Sequence, residues 1–245
     1  MAKKEIVRIF LLFDGDVERS IKSLDSILNQ TYPFKKIYIV LLSTSNIAEL
    51  ILKMKDRIPQ VEFIDRSKLQ NVVMQPTGDY VQFVLPGDKL HLDMIMHMVE
   101  LANSNFAPSI MMSELEYPEN FDRGLIPKDL DFEYRPGRLV EAINGQNGIL
   151  LPTIKEQAMI ISSLSRIVCR QKIFENAVWI SPTLDLIDLD KICIESISML
   201  FVVNIFKKFT VIRLNEKLVE RGARNWTAAD LQFYKDVCKQ ILEKL

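Results

Sequence analysis

A chain of 245 residues with 48% hydrophobic content can bury a full core as one large domain or as two intimately packed halves, which excludes a disordered segment or a short disulfide scaffold. Lys and Arg number 31 against 32 for Asp and Glu, so the net charge is -1 and no global field would gather nucleic acid or an acidic membrane. Cys169, Cys193 and Cys238 are widely spaced and lack any Cys-x-x-Cys pairing, so they read as buried thiols in a reducing cytosol and not as a zinc site or disulfide framework.

The opening "MAKKEIVRIFLLFDGD" sets lysines before an apolar run that is short, contains Arg8 and ends in acids. It predicts a first strand over 6–13, not a cleaved leader. Residues 17–30 place Ile21, Leu24, Ile27 and Leu28 at helical spacing; 36–43 reads as a second buried strand, 45–58 as a helix, 61–65 as a strand and 80–85 as the strand before a Pro-Gly-Asp turn. This β-α-β-α-β series predicts an α/β fold with a mostly parallel sheet flanked by helices. Ligands of such sheets lie beyond the carboxyl ends of the strands, which singles out the loops at 13–17, 41–46, 65–71 and 85–90.

A helix over 91–103 is followed by a section rich in proline and glycine, 105–148, expected to be irregular and to cover one mouth of the sheet. A helix or strand pair is expected near 158–177, a helix near 189–207, a strand over 209–214 and an amphipathic closing helix with a Thr227/Asp230 capping box. The longest later apolar stretch, "ISMLFVVNIF", is about half of the roughly 20 residues a bilayer span needs. The expectation is a cytoplasmic protein without a transmembrane segment, at most peripheral to the inner face of the membrane.

Four stretches in order carry a resemblance. "SIKSLDSILNQTYPFKKIYIV" is similar to a "S-x-x-S-x-L-x-Q-T-Y-P" helix and "I-x-I-V" strand, and "TGDYVQFVLPGDKLHLDMI" to "T-G-E-Y-x-x-F-L-D-x-D-D-x-x-H-P-D-x-L". "RIVCRQKIFE" is similar to "K-x-x-R-R-x-x-F-E", and "IESISMLFVVNIFKKFTVIRLNEKLVERG" to an "E-D-x-x-x-x-x-R" helix, final strand and closing turn. Together they resemble the family 2 glycosyltransferases of the GT-A fold, which transfer sugar from a nucleotide diphosphate donor. The resemblance implies a single GT-A-like, Rossmann-like domain with a nucleotide-binding half to about residue 105 and an acceptor half over about 106–245.

The resemblance is strong in the scaffold and weak in the chemistry. Where the family carries acids for the nucleoside, this chain has Leu41 and Leu42; Ser43, Thr44 and Ser45 remain as candidate contacts, with a helix N-cap as their alternative. Where the family's D-x-D holds a divalent metal, Leu85, Pro86 and Gly87 stand instead. Only Asp88 follows, as a candidate phosphate or ribose contact or else a turn residue or cap. Mg²⁺ and Mn²⁺ need hard oxygen ligands, so neither is expected to bind.

At the position of the family's general base Ser196 replaces the acid, which leaves Glu195 as the candidate catalytic group. Asp185, Asp188 and Asp190 read as a polar face. Asp14, in "FDGDVE", is a candidate nucleotide contact, although a turn at Asp14-Gly15 with Asp16 capping the next helix explains the same run. His91 matches a family histidine that serves in metal binding or packing, and His97 lies in a Met-rich helical run. Arg135, Arg138 and Lys128 could meet an anion or belong to a solvated loop.

Two functions are therefore expected. One is a glycosyltransferase-like domain with lost or reduced metal-dependent transfer, acting as a binding or assembly partner in surface-glycan synthesis. It would pair with another glycosyltransferase or with further domains of the same chain. The other is a metal-independent transferase moving sugar from a nucleotide diphosphate donor to a glycan acceptor, with Glu195 as base.

Overall fold

A computed structural model describes residues 4–103, 108, 110–116, 139–143, 147–150, 165–176 and 211–222. The first apolar run forms β1 (Val7–Phe13), and all seven of its residues are buried. Continuous burial marks a strand covered on both faces. It pairs in parallel with β2 (Lys35–Leu41) and with β4 (Tyr80–Val84), setting Ile9 beside Ile37 and Gln82. Outside β2 lies β3 (Val61–Asp65), also parallel. The helical segments between them are α1 (Val17–Leu28), α2 (Ile47–Lys53) and α3 (Leu69–Met74).

Beyond β4 the chain adds β5 (Lys89–Leu90), α4 (Met94–Ala102) and β6 (Ile110–Glu116). These are followed by β7 (Leu139–Ile143), β8 (Asn147–Leu150), β9 (Ile167–Arg170) and β10 (Val211–Glu220). Among the described residues the strand order is β3-β2-β1-β4-β9-β6-β10-β8-β7, with β5 attached to β10. The parallel pairing expected of the sheet holds for β3-β2-β1-β4 and recurs between β6 and β10. The strand β9 runs antiparallel between β4 and β6, so the complete sheet is mixed.

Three expectations need correction. The section 105–148 contains β6, β7 and the start of β8: β6 and β8 find partners far away in sequence, which local composition does not reveal, and β7 pairs with the adjacent β8. The helix expected over 45–58 ends at Lys53; the Arg57 and Ile58 amides turn back onto the Met54 carbonyl, and Pro59 disfavours helical backbone at Ile58. The final strand runs to Glu220 rather than 214. The closing helix, the 189–207 helix and the Thr227/Asp230 box lie outside the described residues.

Alternation along β1 divides the core. Val7, Ile9, Leu11 and Phe13 join Leu24 and Ile27 of α1 and Met94, Ile95 and Met98 of α4. On the opposite face Phe10 stacks on Tyr38 at 4.8 Å and on Phe83 at 5.3 Å, and Phe83 meets Phe174 edge-on at 6.2 Å. Cys169, on β9, is a half-buried free thiol whose pKa is pushed up to about 12 by desolvation.

Arg8 shares that second face and is wholly buried. Its guanidinium donates to the Val72 carbonyl at 2.7 Å, the Val73 carbonyl at 2.7 Å and the Gln171 side chain, so it closes the C-terminal turn of α3. Desolvation lowers its pKa from the ordinary arginine value. A side-chain carbon at Gly78 would come within 2.8 Å of Arg8 Cγ, so the glycine of "TGDY" is what makes room for this side chain. Arg8→Met should strip Val72 O and Gln171 Oε1 of their donor and destabilise the fold by about 3 kcal/mol, read as a lower urea midpoint at unchanged slope.

Candidate functional site at the carboxyl edge of the sheet

The exits of β1 and β2 lie against each other. Asp14 Oδ1 accepts from the Asp16 amide at 3.1 Å, Gly15 takes φ +101°, and Asp16 caps α1 by accepting from the Arg19 amide at 3.0 Å. The turn and cap expected of this run are thus both present. Across from it, a side-chain carbon at Gly15 would lie 3.2 Å from Ser43 Oγ, and Asn46 Nδ2 donates to the Gly15 carbonyl at 2.9 Å.

Ser43, Thr44 and Ser45 do not cap α2. Asn46 occupies that position in the left-handed region at φ 59°, without a side-chain cap, and Ser43 Oγ instead accepts from the Ser45 amide at 3.1 Å. Ser43 is half-buried and Thr44 exposed at the strand ends. Ser43 follows the end of β2 beside Gly15, and Thr44 comes next along the chain.

The β4 exit, "LPGD", is buried from Leu85 to Asp88. Two serines hold it. Ser23 Oγ of α1 donates to the Leu85 carbonyl at 3.1 Å and accepts from the Gly87 amide at 2.9 Å, while Ser165 Oγ accepts from the Leu85 amide at 2.9 Å. Ser165 also donates to Asp88 Oδ2 at 2.6 Å, and the Gly222 amide donates to Asp88 Oδ1 at 2.9 Å. Arg221 Nη1 lies 3.5 Å from Asp88 Oδ2. Both carboxylate oxygens of Asp88 therefore face inward onto the chain.

Gly87 takes φ +93°, and a side-chain carbon at Gly222 would come within 2.5 Å of its carbonyl carbon. Only two glycines permit this backbone approach. Arg19 lies along the same loop: its Nη2 donates to the Pro86 carbonyl, its Nη1 stands 3.7 Å from Asp14 Oδ2, and its side chain is 24% exposed. Arg19 thereby links the β1 exit to the β4 exit.

Of the candidates, Asp14, Ser43 and Thr44 come together at the ends of β1 and β2, and Asp88 is turned into the protein one strand away. Glu195 lies outside the described residues, as do Asp185, Asp188, Asp190, Lys128, Arg135 and Arg138. His91 is exposed, its backbone amide donating to the Leu218 carbonyl at 2.8 Å, and His97 Nδ1 lies 3.1 Å from Glu216. Among the described residues no three His, Cys, Asp or Glu side chains gather to hold a metal ion. A divalent cation does not fit the "LPGD" loop, since the Leu85 side chain offers no oxygen, its carbonyl is bound by Ser23, and Asp88 is already engaged.

Arg19, Ser23, Ser165, Arg221 and Gly222 were not singled out as site residues from sequence. For Ser23 a signal existed: Ser20, Ser23 and Ser26 recur every third residue, which puts them on one side of a helix. Ser26 Oγ accepts from the Leu90 amide at 3.1 Å, and Gln30 of "NQTYP" donates to the His91 carbonyl at 2.6 Å and accepts from the Ile95 amide at 3.0 Å. The stretch that carries the family resemblance is therefore a clamp for the segment from 85 to 95. No local signal marks Ser165 or Gly222.

No protein-family model matches the sequence, and no curated protein is similar to it in sequence. Solved structures are similar in fold. TarS 1–349 of S. aureus superposes with a TM-score of 0.58 at 11% identity, covering 96% of this chain and 65% of that one. The same fragment in complex with UDP gives 0.59 at 11% identity, and in complex with UDP-GlcNAc 0.58 at 10% identity. The chain thus spans 65% of the TarS 1–349 fragment and 39% of the longer TarS structure. TarS is a GT-A-type glycosyltransferase, and the fold of this chain is GT-A-like. Among the described residues no helix is long and apolar enough to cross a membrane.

Asp88→Ala should leave the Ser165 hydroxyl and the Gly222 amide without their acceptor and cost about 3 kcal/mol. Chemical denaturation checks it, and wild-type stability in this variant would mean that the carboxylate is not what holds the loop.

Proposed function

We propose that this chain is a glycosyltransferase-like domain that has lost metal-dependent sugar transfer and acts as a binding or assembly partner in surface-glycan synthesis. The observation that carries this is the state of Asp88. It is the acid left at the metal-loop position, yet it is 2% exposed and both its oxygens are bound from within the chain. A cation bridging a diphosphate needs oxygen ligands directed outward, and without it the charge on the leaving group goes unneutralised. The GT-A-like fold supports a glycosyltransferase origin, and the neighbours solved with UDP and UDP-GlcNAc make a nucleotide sugar the ligand class to test. The partner in this reading is another glycosyltransferase or further domains of the same protein, on the cytoplasmic side.

A specific observation favours a second reading, a metal-independent transferase acting on a glycan acceptor with Glu195 as base. Arg19 brings a permanent positive charge to the "LPGD" loop. Asp14, Ser43 and Thr44 would then line the nucleotide side.

Calorimetric titration with UDP, GDP and CDP, each with and without Mn²⁺, tests the loss of metal dependence. The expected result is that Mn²⁺ adds no affinity for any of them. Binding strengthened about tenfold or more by Mn²⁺ would overturn the proposal.

A further inference from the structure

Resting on the glycosyltransferase-like reading of this cleft, we infer that Arg19 is the cationic contact for a nucleoside diphosphate, standing where a bound divalent ion would otherwise meet the phosphates. Its position carries the inference. In the family pattern Gly87 stands at the second acid of D-x-D, and a side-chain carbon built on Gly87 would come within 2.9 Å of Arg19 Nε and 3.4 Å of Arg19 Nη2. The guanidinium thus fills the space that an acidic side chain at residue 87 would enter. Arg19 therefore lies directly against residue 87, at the place of the family's second acid.

Three further features fit an anion. The guanidinium is fastened at one edge by the Pro86 carbonyl, which fixes its plane and reduces the rotamer freedom lost on binding. With a side chain 24% exposed it is reached from solvent, unlike Arg8, which is wholly buried. It also sits at the carboxyl edge of the parallel strands, where ligands of such sheets bind. A planar fork of N–H donors matches two phosphate oxygens, which a point charge does not. Asp14, 22% exposed, lies 3.7 Å from Nη1 and tempers the charge on that side.

The test compares wild-type protein with Arg19→Gln and Arg19→Lys in EDTA. Titrants are UDP, GDP, CDP, the matching nucleosides and inorganic pyrophosphate, and circular dichroism and melting follow the fold of each variant. Expected is metal-independent binding of at least one nucleoside diphosphate by the wild type, weakened about tenfold or more in Arg19→Gln and less in Arg19→Lys, which keeps the charge without the fork. Nucleoside binding should be unchanged. Should Arg19→Gln not fold, Arg19→Lys alone decides, and wild-type affinity in it would overturn the inference.

Equal diphosphate affinity in folded Arg19→Gln and wild type would overturn the role of Arg19 and leave the proposed function standing. The absence of binding by wild type to any nucleoside diphosphate would likewise overturn it while leaving the partner-domain reading intact. Pyrophosphate binding as tightly as the nucleotides would identify a general phosphate site and overturn the nucleotide assignment. Binding that requires Mn²⁺ would overturn this inference and the proposed function together.

Discussion

The Asp88 carboxylate is the constraint on which the carboxyl edge of this domain depends. A buried carboxylate is tolerated only when fixed donors replace its water. Here the donors come from two remote segments: the Ser165 hydroxyl precedes β9 and the Gly222 amide follows β10, while the Arg221 guanidinium stands 3.5 Å away as an ion pair. The β4 exit can therefore reach its position only once β9 and β10 are in the sheet. The Gly87 and Gly222 backbones then lie in contact, and Arg19 closes over the loop from α1.

Arg8 performs a matching task near the opposite end of the strands. It joins the end of α3 to Gln171, and Gln171 in turn donates through its own amide to the Asp79 carbonyl at 2.8 Å. Between these two buried ionisable groups lie aromatic and aliphatic contacts together with the buried Gln82, whose Nε2 donates to the Ser165 carbonyl at 2.7 Å. Both charged groups are held by hydrogen bonds from several segments, as burial of a charge demands.

The same economy separates scaffold from chemistry. Ser23, Ser26 and Gln30 hold the 85–95 segment through main-chain contacts, so they keep the geometry whatever occupies the loop. Leu85 is held through its main chain by Ser23 and Ser165, so the packing of the loop does not depend on an acid at that position.

The strands β1 to β4 and the helix α1 were legible in sequence because each is specified locally, whereas α3 and β5 fall in stretches read as loops. The apolar run of β1, the spacing of Leu24 and Ile27, and the turn at Asp14-Gly15 with its Asp16 cap act over a few residues. The early end of α2, the strands within 105–148 and the cap of α2 at Asn46 were not legible, because they follow from hydrogen bonds and pairings with other segments. At the site, sequence by itself determined which acids are absent: Leu41, Leu42, Leu85 and Gly87 offer no side-chain oxygen in any conformation. Only the tertiary structure decided what became of the acid that remained. A carboxylate in a Pro-Gly-Asp turn can face solvent or the interior, and the inward choice for Asp88 depends on Ser165 and Gly222, 77 and 134 residues away along the chain. Distance along the sequence carries no information about that contact until the sheet brings the donors within reach.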